Sequence, residues 1–143
     1  MELTTFSMVL RFTLQLEDRT AQFYRSLAAE SKFTEAKELF ARFAENSDKR
    51  KKELERTARE SVDHSLLEPV SGIFEETYSV DTTYLDRTAF TDAVTSARKL
   101  EERMQKFYTE AGDKIKFISN VSRLYRRYAQ DRAKALTALQ ALA

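Results

Sequence analysis

The sequence is short of residues on which several large classes of protein depend. Its 143 residues include no cysteine, no tryptophan, one proline, two glycines and one histidine. Without cysteine the chain has no disulfide framework, no thiolate metal site and no cysteine nucleophile. A single histidine excludes the usual multi-histidine metal sites. The low glycine and proline content argues against a β-sandwich or barrel, because strand reversals usually require those residues.

Charges of the two signs nearly cancel. The 24 basic and 23 acidic residues give a net charge of +1, so we expect neither nucleic acid nor a membrane as a partner. The N-terminus has no basic segment followed by an apolar run, and no window approaches ~18 uncharged apolar residues. We therefore expect neither a signal peptide nor a transmembrane helix, and we predict a cytoplasmic protein.

Four segments of the chain carry apolar residues three or four positions apart, a pattern typical of amphipathic helices. The predicted helices cover about residues 3–31, 32–64, 86–112 and 113–142, and Gly112 is the expected end of the third. Helices one and two, and likewise helices three and four, are joined by very few residues. Each pair is therefore predicted to form an antiparallel hairpin.

A longer segment, about residues 65–86, connects the two predicted hairpins. A helix of ~30 residues is ~45 Å long and an extended chain covers ~3.3 Å per residue, so this segment can cross the whole bundle. One long crossover between two hairpins is typical of ferritin-like bundles. The sequence therefore predicts an all-α, ferritin-like four-helix bundle that forms a single domain over residues 1–143. Apolar crossover residues such as Ile73, Phe74 and Tyr78 are expected to cover the bundle or to contact a partner.

The two halves of the chain resemble each other. Residues 16–24, LEDRTAQFY, match residues 100–108, LEERMQKFY, with Leu, Glu, Arg, Phe and Tyr in register. A second match pairs residues 40–44, FARFA, with residues 125–129, YRRYA. These matches indicate that a helical hairpin has been duplicated.

With these duplicated Leu-Glu…Phe-Tyr helices and the crossover, the chain resembles the rubrerythrin branch of the ferritin-like superfamily over almost its whole length. In that family each half supplies one Glu from its first helix and a Glu-x-x-His pair from its second. The di-iron centre so formed supports peroxidase, oxidase or ferroxidase chemistry. The resemblance implies that Glu17 and Glu101 occupy the first-helix ligand positions. Both lie on the apolar face of their helix, where a carboxylate is costly unless cations or donors compensate it, or else at the edge of that face in water.

The second-helix ligands of the family are missing from this sequence. The spacing of the family's motif places Ser47 and Arg50 where Glu and His are expected in the first half. In the second half the same spacing places Arg132 and Ala135 at the positions expected for Glu and His. No register yields Glu-x-x-His in either half. The only histidine, His64, lies several turns away, near the end of the second helix, where it is expected to be solvated or to interact with the helix dipole.

The arginines at ligand-equivalent positions suggest a replacement for the metal. If Arg50 and Arg132 reach the same layer as Glu17 and Glu101, two guanidinium groups neutralise two carboxylates. Our hypothesis is that a metal site has become a polar layer of ion pairs.

Three functions are open on this evidence. The first, which we favour, is a rubrerythrin-like bundle that has lost its di-iron site, binds no cofactor and acts as a binding or structural module rather than an enzyme. The second is a di-iron carboxylate oxidoreductase or iron-binding protein with a non-standard site, whose candidate metal ligands are Glu17, Glu101, Glu45, Asp48 and Asp131. The third is an unrelated helical interaction domain, in which Glu17 and Glu101 do not face each other. By analogy we expect a homodimer, and a protein partner is possible.

Overall fold

The part of the chain described by this computed structural model is all-helical, as predicted. It comprises residues 1–61, 68–79 and 89–142, apart from the side chains of 31–33. These ranges contain no β-strand and five α-helices, four of them long: α1, Phe6–Ala29; α2, Lys37–Glu60; the short α3, Glu75–Tyr78; α4, Phe90–Lys114; and α5, Ser119–Gln140. None of these helices is apolar over a length that would cross a membrane.

The first two long helices run antiparallel and pack along their length. Lys51 Nζ on α2 lies 2.9 Å from Asp18 Oδ1 on α1, and Arg25 on α1 pairs with Asp48 on α2. Residue numbers therefore rise along one helix as they fall along the other. A 3₁₀ helix, Ser31–Ala36, forms the connection. The predicted start of this second helix at residue 32 is thus wrong by five residues, because periodicity does not separate a tighter 3₁₀ turn from an α-helix.

The second pair, α4 and α5, also runs antiparallel, and Gly112 lies inside α4 instead of ending it. The helix continues to Lys114, so the predicted stop at Gly112 is wrong. A Cβ atom at this position would lie 3.3 Å from Tyr125 Cβ on α5, and Ser122 Oγ donates to the Gly112 carbonyl at 2.9 Å. Glycine suits this position because the two helices approach closely, not because the chain turns.

The N-terminal residues pair with the described part of the predicted crossover. Leu3 N donates to the Ile73 carbonyl at 2.8 Å, and Val70 N donates to the Thr4 carbonyl at 2.9 Å. These extended contacts explain why α1 begins at Phe6 and not at residue 3. The Thr5 hydroxyl caps the N-terminus of α1 by accepting from Met8 N at 3.2 Å.

Part of the crossover covers the core, one of the two roles expected for it. Ile73 and Tyr78 are buried, and the Tyr78 ring packs edge-on against Phe107 of α4, with 5.2 Å between ring centroids. Phe74 is 45% exposed. Gly72 has a φ of 82°, a left-handed conformation that favours glycine. Residues 62–67 and 80–88, and with them His64, lie outside the described residues.

All four long helices contribute to one apolar core. Its centre is aromatic, and the rings of Phe12, Phe107, Tyr108, Tyr125 and Tyr128 meet at centroid distances of 5.2–6.1 Å. The edge-to-face and tilted geometries are those that aromatic pairs prefer. This aromatic cluster adjoins the polar residues of the candidate site.

The close approach at Gly112 predicts a packing defect. We expect Gly112→Leu to lower the free energy of unfolding by about 1–3 kcal/mol, because the new side chain overlaps Tyr125 in a close-packed interface. Urea denaturation followed by circular dichroism measures the change. Glu102→Leu, at an exposed position of the same helix, is the control and should change stability by less than about 0.5 kcal/mol. Equal effects of the two substitutions would contradict the close approach.

Candidate functional site

Four charged side chains are buried in the apolar core, one from each long helix. Glu17 of α1 is 0% exposed, Arg50 of α2 is 8%, and Glu101 of α4 and Arg132 of α5 are each 1%. Charged groups are rarely so deeply buried unless they are paired, since removing them from water costs several kcal/mol per ion. We refer to these four residues as the ion-pair layer.

Glu17 accepts hydrogen bonds from three different helices. Arg50 Nε lies 3.1 Å from both carboxylate oxygens. Arg132 Nη2 donates to Glu17 Oε1, and the Tyr108 hydroxyl donates to the same oxygen at 2.8 Å. Both oxygens of this buried carboxylate are therefore satisfied, and the charge faces two guanidinium groups.

Glu101 has a poorer set of partners. Its Oε1 accepts from Arg132 Nη1 at 2.8 Å and from the Tyr24 hydroxyl at 2.7 Å. Arg132 thus bridges the two glutamates with its two terminal nitrogens. Glu101 Oε2 and Arg132 Nε are buried and have no hydrogen-bond partner among the described residues.

The two tyrosines exchange partners between the halves of the chain. Tyr24 donates to Glu101, whereas Tyr108 donates to Glu17. In the duplicated segments Glu17 corresponds to Glu101 and Tyr24 to Tyr108, so the two contacts are equivalent under the repeat. Residue numbers rise along α1 as they fall along α4 between these two contacts, so the two helices run antiparallel through the core. They are the corresponding helices of the two similar halves.

The arginines do not follow the repeat. Arg50 aligns with Ala135 of the second half, and Arg132 aligns with Ser47 of the first. Ser47 is buried and accepts from Arg50 Nη2 at 3.2 Å. As a result, among the described residues, Glu17 contacts two arginines and Glu101 contacts one.

The surrounding charges shift the pKa values of Glu17 and Arg132. Burial by itself would raise the pKa of Glu17, but Arg132, Arg50 and the Tyr108 hydroxyl more than compensate and lower it below its ordinary value of 4.5. Burial would likewise lower the pKa of Arg132, but Glu101 and Glu17 raise it. Glu17 and Arg132 are therefore both charged at neutral pH.

The two tyrosines are held as neutral donors. Burial, and then the neighbouring carboxylate, raise the pKa of Tyr24 and of Tyr108 well above the ordinary value of 10.0. A phenol that donates to a buried carboxylate keeps its proton, because ionisation would place a second negative charge beside the first. The hydrogen bonds of these two tyrosines were not predicted from the sequence. The seven-residue spacing from Glu to Tyr, combined with the duplication, was the signal for them.

The structure brings together the four residues of the hypothesised layer, but it places two of the other candidate metal ligands elsewhere. Glu45 is exposed and lies 3.4 Å from Lys49, and Asp48 pairs with Arg25. The third, Asp131, lies at the edge of the layer with its Oδ2 3.8 Å from Arg50 Nη1. Within residues 1–61, 68–79 and 89–142, no group of three or more His, Asp or Glu side chains is arranged to hold a metal ion.

The bridging role of Arg132 predicts a large loss of stability on its removal. Arg132→Leu leaves Glu101 buried beside a single neutral donor, so we expect the free energy of unfolding to fall by about 3–5 kcal/mol. The double variant Glu101→Leu/Arg132→Leu removes both charges and should lose less than Arg132→Leu alone. Urea denaturation at pH 7 measures the free energy of unfolding of wild type and of each variant.

The matched control for this prediction is Arg127→Leu. Arg127 also pairs with a glutamate, Glu53, but is 53% exposed. Surface pairs contribute about 0–1 kcal/mol, so this variant should remain close to wild type. If the double variant or the control Arg127→Leu lost as much free energy of unfolding as Arg132→Leu, the bridging role of Arg132 would be contradicted.

The lowered pKa of Glu17 predicts acid sensitivity. Because the carboxylate is stabilised in the folded state, its contribution is complete above about pH 4.5 and is lost as the pH falls through the lower folded pKa. Unfolding free energies of wild type should therefore decrease below pH 4.5, and Glu17→Gln should show a weaker dependence. Glu45→Gln, at an exposed position, should retain the wild-type slope. Carbon-13 NMR titration of the Glu17 carboxyl group tests the same shift without a substitution, and a midpoint above 4.5 would contradict it.

Comparisons of the chain with protein-family models, with curated proteins and with solved structures found no match. The resemblance to rubrerythrins therefore stays an expectation from the sequence. The function of the layer therefore has to be inferred from the contacts, burial and charges of its own residues.

Proposed function

We propose that this protein is a rubrerythrin-like, ferritin-like four-helix bundle in which a layer of ion pairs has replaced the di-iron site, and that it acts as a binding or structural module. The observation that carries the proposal is the Arg132 guanidinium group, which contacts both Glu17 and Glu101. The homodimer and the cytoplasmic location expected from the sequence stay predictions.

The residues at the layer do not fit a dinuclear iron centre. Such a centre in a helical bundle takes roughly four carboxylates and two imidazoles. Here two carboxylates are present, and arginine side chains already supply the positive charge that balances them. A metal ion bound between the glutamates would leave buried guanidinium groups without counter-ions, at a cost of several kcal/mol.

The contacts between the hairpins support the bundle arrangement. Tyr24 and Glu101 join α1 to α4, and Arg127 and Tyr128 on α5 both contact Glu53 on α2. The ion-pair layer itself links all four long helices. In the ferritin-like arrangement the equivalent side chains converge on a metal in the bundle core, and here they converge on each other.

The layer is suited to fixing the register of the helices. Sliding one helix by a single turn, ~5.4 Å, would separate each carboxylate from its guanidinium group and leave buried charges unpaired. Apolar contacts tolerate such shifts better, because they are not directional. A module with a fixed helix register presents a constant surface and constant cavities to its partners, which is the property that a binding or structural role requires.

Retention of iron tests the loss of the metal site. We expect protein incubated anaerobically with excess Fe(II) and then desalted to retain far less than one iron per chain by elemental mass spectrometry, because arginines occupy the charge-balancing positions. Glu17→Gln and Glu101→Gln are measured beside wild type, with circular dichroism to verify folding. About two irons per chain, lost in either variant, would overturn the proposal and favour the di-iron oxidoreductase or iron-binding protein.

A further inference from the structure

A cavity of about 460 Å³ lies between α2 and α5. Every described residue that lines it, except Glu101 of α4, belongs to one of these two helices. Lys49 and Lys134 line the cavity and are exposed, so it is open to the outside of the protein. Its volume lies within the range of about 300–1,000 Å³ that is typical of small-molecule sites. A small organic ligand can therefore enter and occupy it.

The order of residues along the cavity follows from the pairing of α2 with α5. Arg127 on α5 pairs with Glu53 on α2. One turn further along α5, Asp131 lies 3.8 Å from Arg50, which is one turn earlier on α2. The two helices therefore run antiparallel. Counted by turns in the same way, the next levels of the cavity are Asn46 with Lys134 and then Phe43 with Ala138.

The lining carries an excess of positive charge. Among the described residues that line the cavity, five are basic and three are acidic. The acidic residues are already engaged, in three pairs: Glu53 with Arg127, Asp131 with Arg50, and Glu101 with Arg132. Arg42 and Lys134 make no ion pair within the described part of the chain, and Lys49 pairs only with the exposed Glu45. The charge that is left over is positive, so the cavity attracts an anion.

The part of the cavity beyond Asn46 is apolar. Leu39 and Phe43 of α2 line it together with Ala135 and Ala138 of α5. These side chains offer a ligand no hydrogen bond. The two alanines leave space that larger side chains would fill, whereas protein interiors are normally close-packed. A hydrocarbon group placed here would fill this space and be removed from water, which is favourable.

We propose that this cavity binds a carboxylic acid with a hydrocarbon tail, such as a free fatty acid of medium length. Its carboxylate lies between Asn46 and Lys134, where one amide donor and one cation suit a singly charged group. Its tail extends past Phe43 and Ala138. The inference rests on the proposed function, because it names the ligand class of the binding module.

Calorimetric titration of the protein at pH 7 with three probes tests the proposal. We expect octanoate to bind. Propanoate should bind at least about tenfold more weakly, because its short tail leaves the apolar part of the cavity unfilled. Octylammonium should also bind at least about tenfold more weakly, because its charge has the wrong sign. Absence of octanoate binding, or an equal affinity for either of the other two probes, would overturn the proposal.

Two pairs of variants locate the site. Lys134→Glu reverses a charge in the lining and should weaken octanoate binding at least about fivefold. Arg126→Glu makes the same charge change at an exposed position of α5 outside the lining and should have little effect. Ala138→Leu narrows the apolar part and should also weaken binding at least about fivefold, with Ala41→Leu, at an exposed position of α2, as its control.

Circular dichroism verifies the folding of each variant. Lys134 is exposed, so the result for Lys134→Glu stands even if Ala138→Leu fails to fold. An octanoate affinity that is unchanged in Lys134→Glu would overturn the assignment to this cavity.

A second copy of this chain is the competing occupant of the apolar part. Sedimentation velocity of wild type and of Ala138→Leu distinguishes the two. Loss of self-association in Ala138→Leu, together with no octanoate binding by wild type, would assign the apolar part to a second copy and overturn the proposal.

The iron measurement separates this proposal from the one on which it rests. Absence of retained iron together with absence of octanoate binding would overturn only the carboxylic-acid site. Iron retained through Glu17 and Glu101 would overturn the loss of the metal site whatever the titration shows.

Discussion

The contact on which the structure most depends is that of Arg132 with the two buried glutamates. Its guanidinium group joins Glu17 of the first hairpin to Glu101 of the second, and the side chain of each glutamate is only 1% exposed. Two acids and two arginines make the layer neutral, and a neutral layer can be buried where a single charge cannot. The apolar core around it provides the main driving force for folding. Within this core the layer joins side chains from all four long helices.

The two halves of the chain differ in how completely the glutamate of each is paired. Each half has a glutamate and a tyrosine at corresponding positions of the repeated segments, and these make equivalent contacts. The arginines are placed differently, so Glu17 is fully paired and Glu101 is not. One difference between the repeats, arginine at position 50 against alanine at position 135, goes with this unequal pairing, because Arg50 donates to both oxygens of Glu17.

How far the sequence predicts this site depends on the kind of interaction. The apolar faces of the helices identified Glu17 and Glu101 as charges in need of partners, and the ligand spacing implied by the resemblance to rubrerythrins indicated Arg50 and Arg132. The tyrosine contacts were missed because spacing shows which residues share a face but not which helix they meet. Gly112 was misread for a related reason. Its role depends on the distance to Tyr125, a residue of another helix, and no local pattern contains that distance.

The unequal pairing of the two glutamates has an energetic consequence. A buried donor or acceptor without a partner costs about 1–3 kcal/mol, a substantial part of the stability of a protein of this size. Glu17 avoids this cost, because both of its carboxylate oxygens accept from Arg50 and Oε1 also accepts from the Tyr108 hydroxyl. Glu101 Oε2 and Arg132 Nε have no such partner among the described residues. The pairing of charges is therefore more complete around Glu17 than around Glu101.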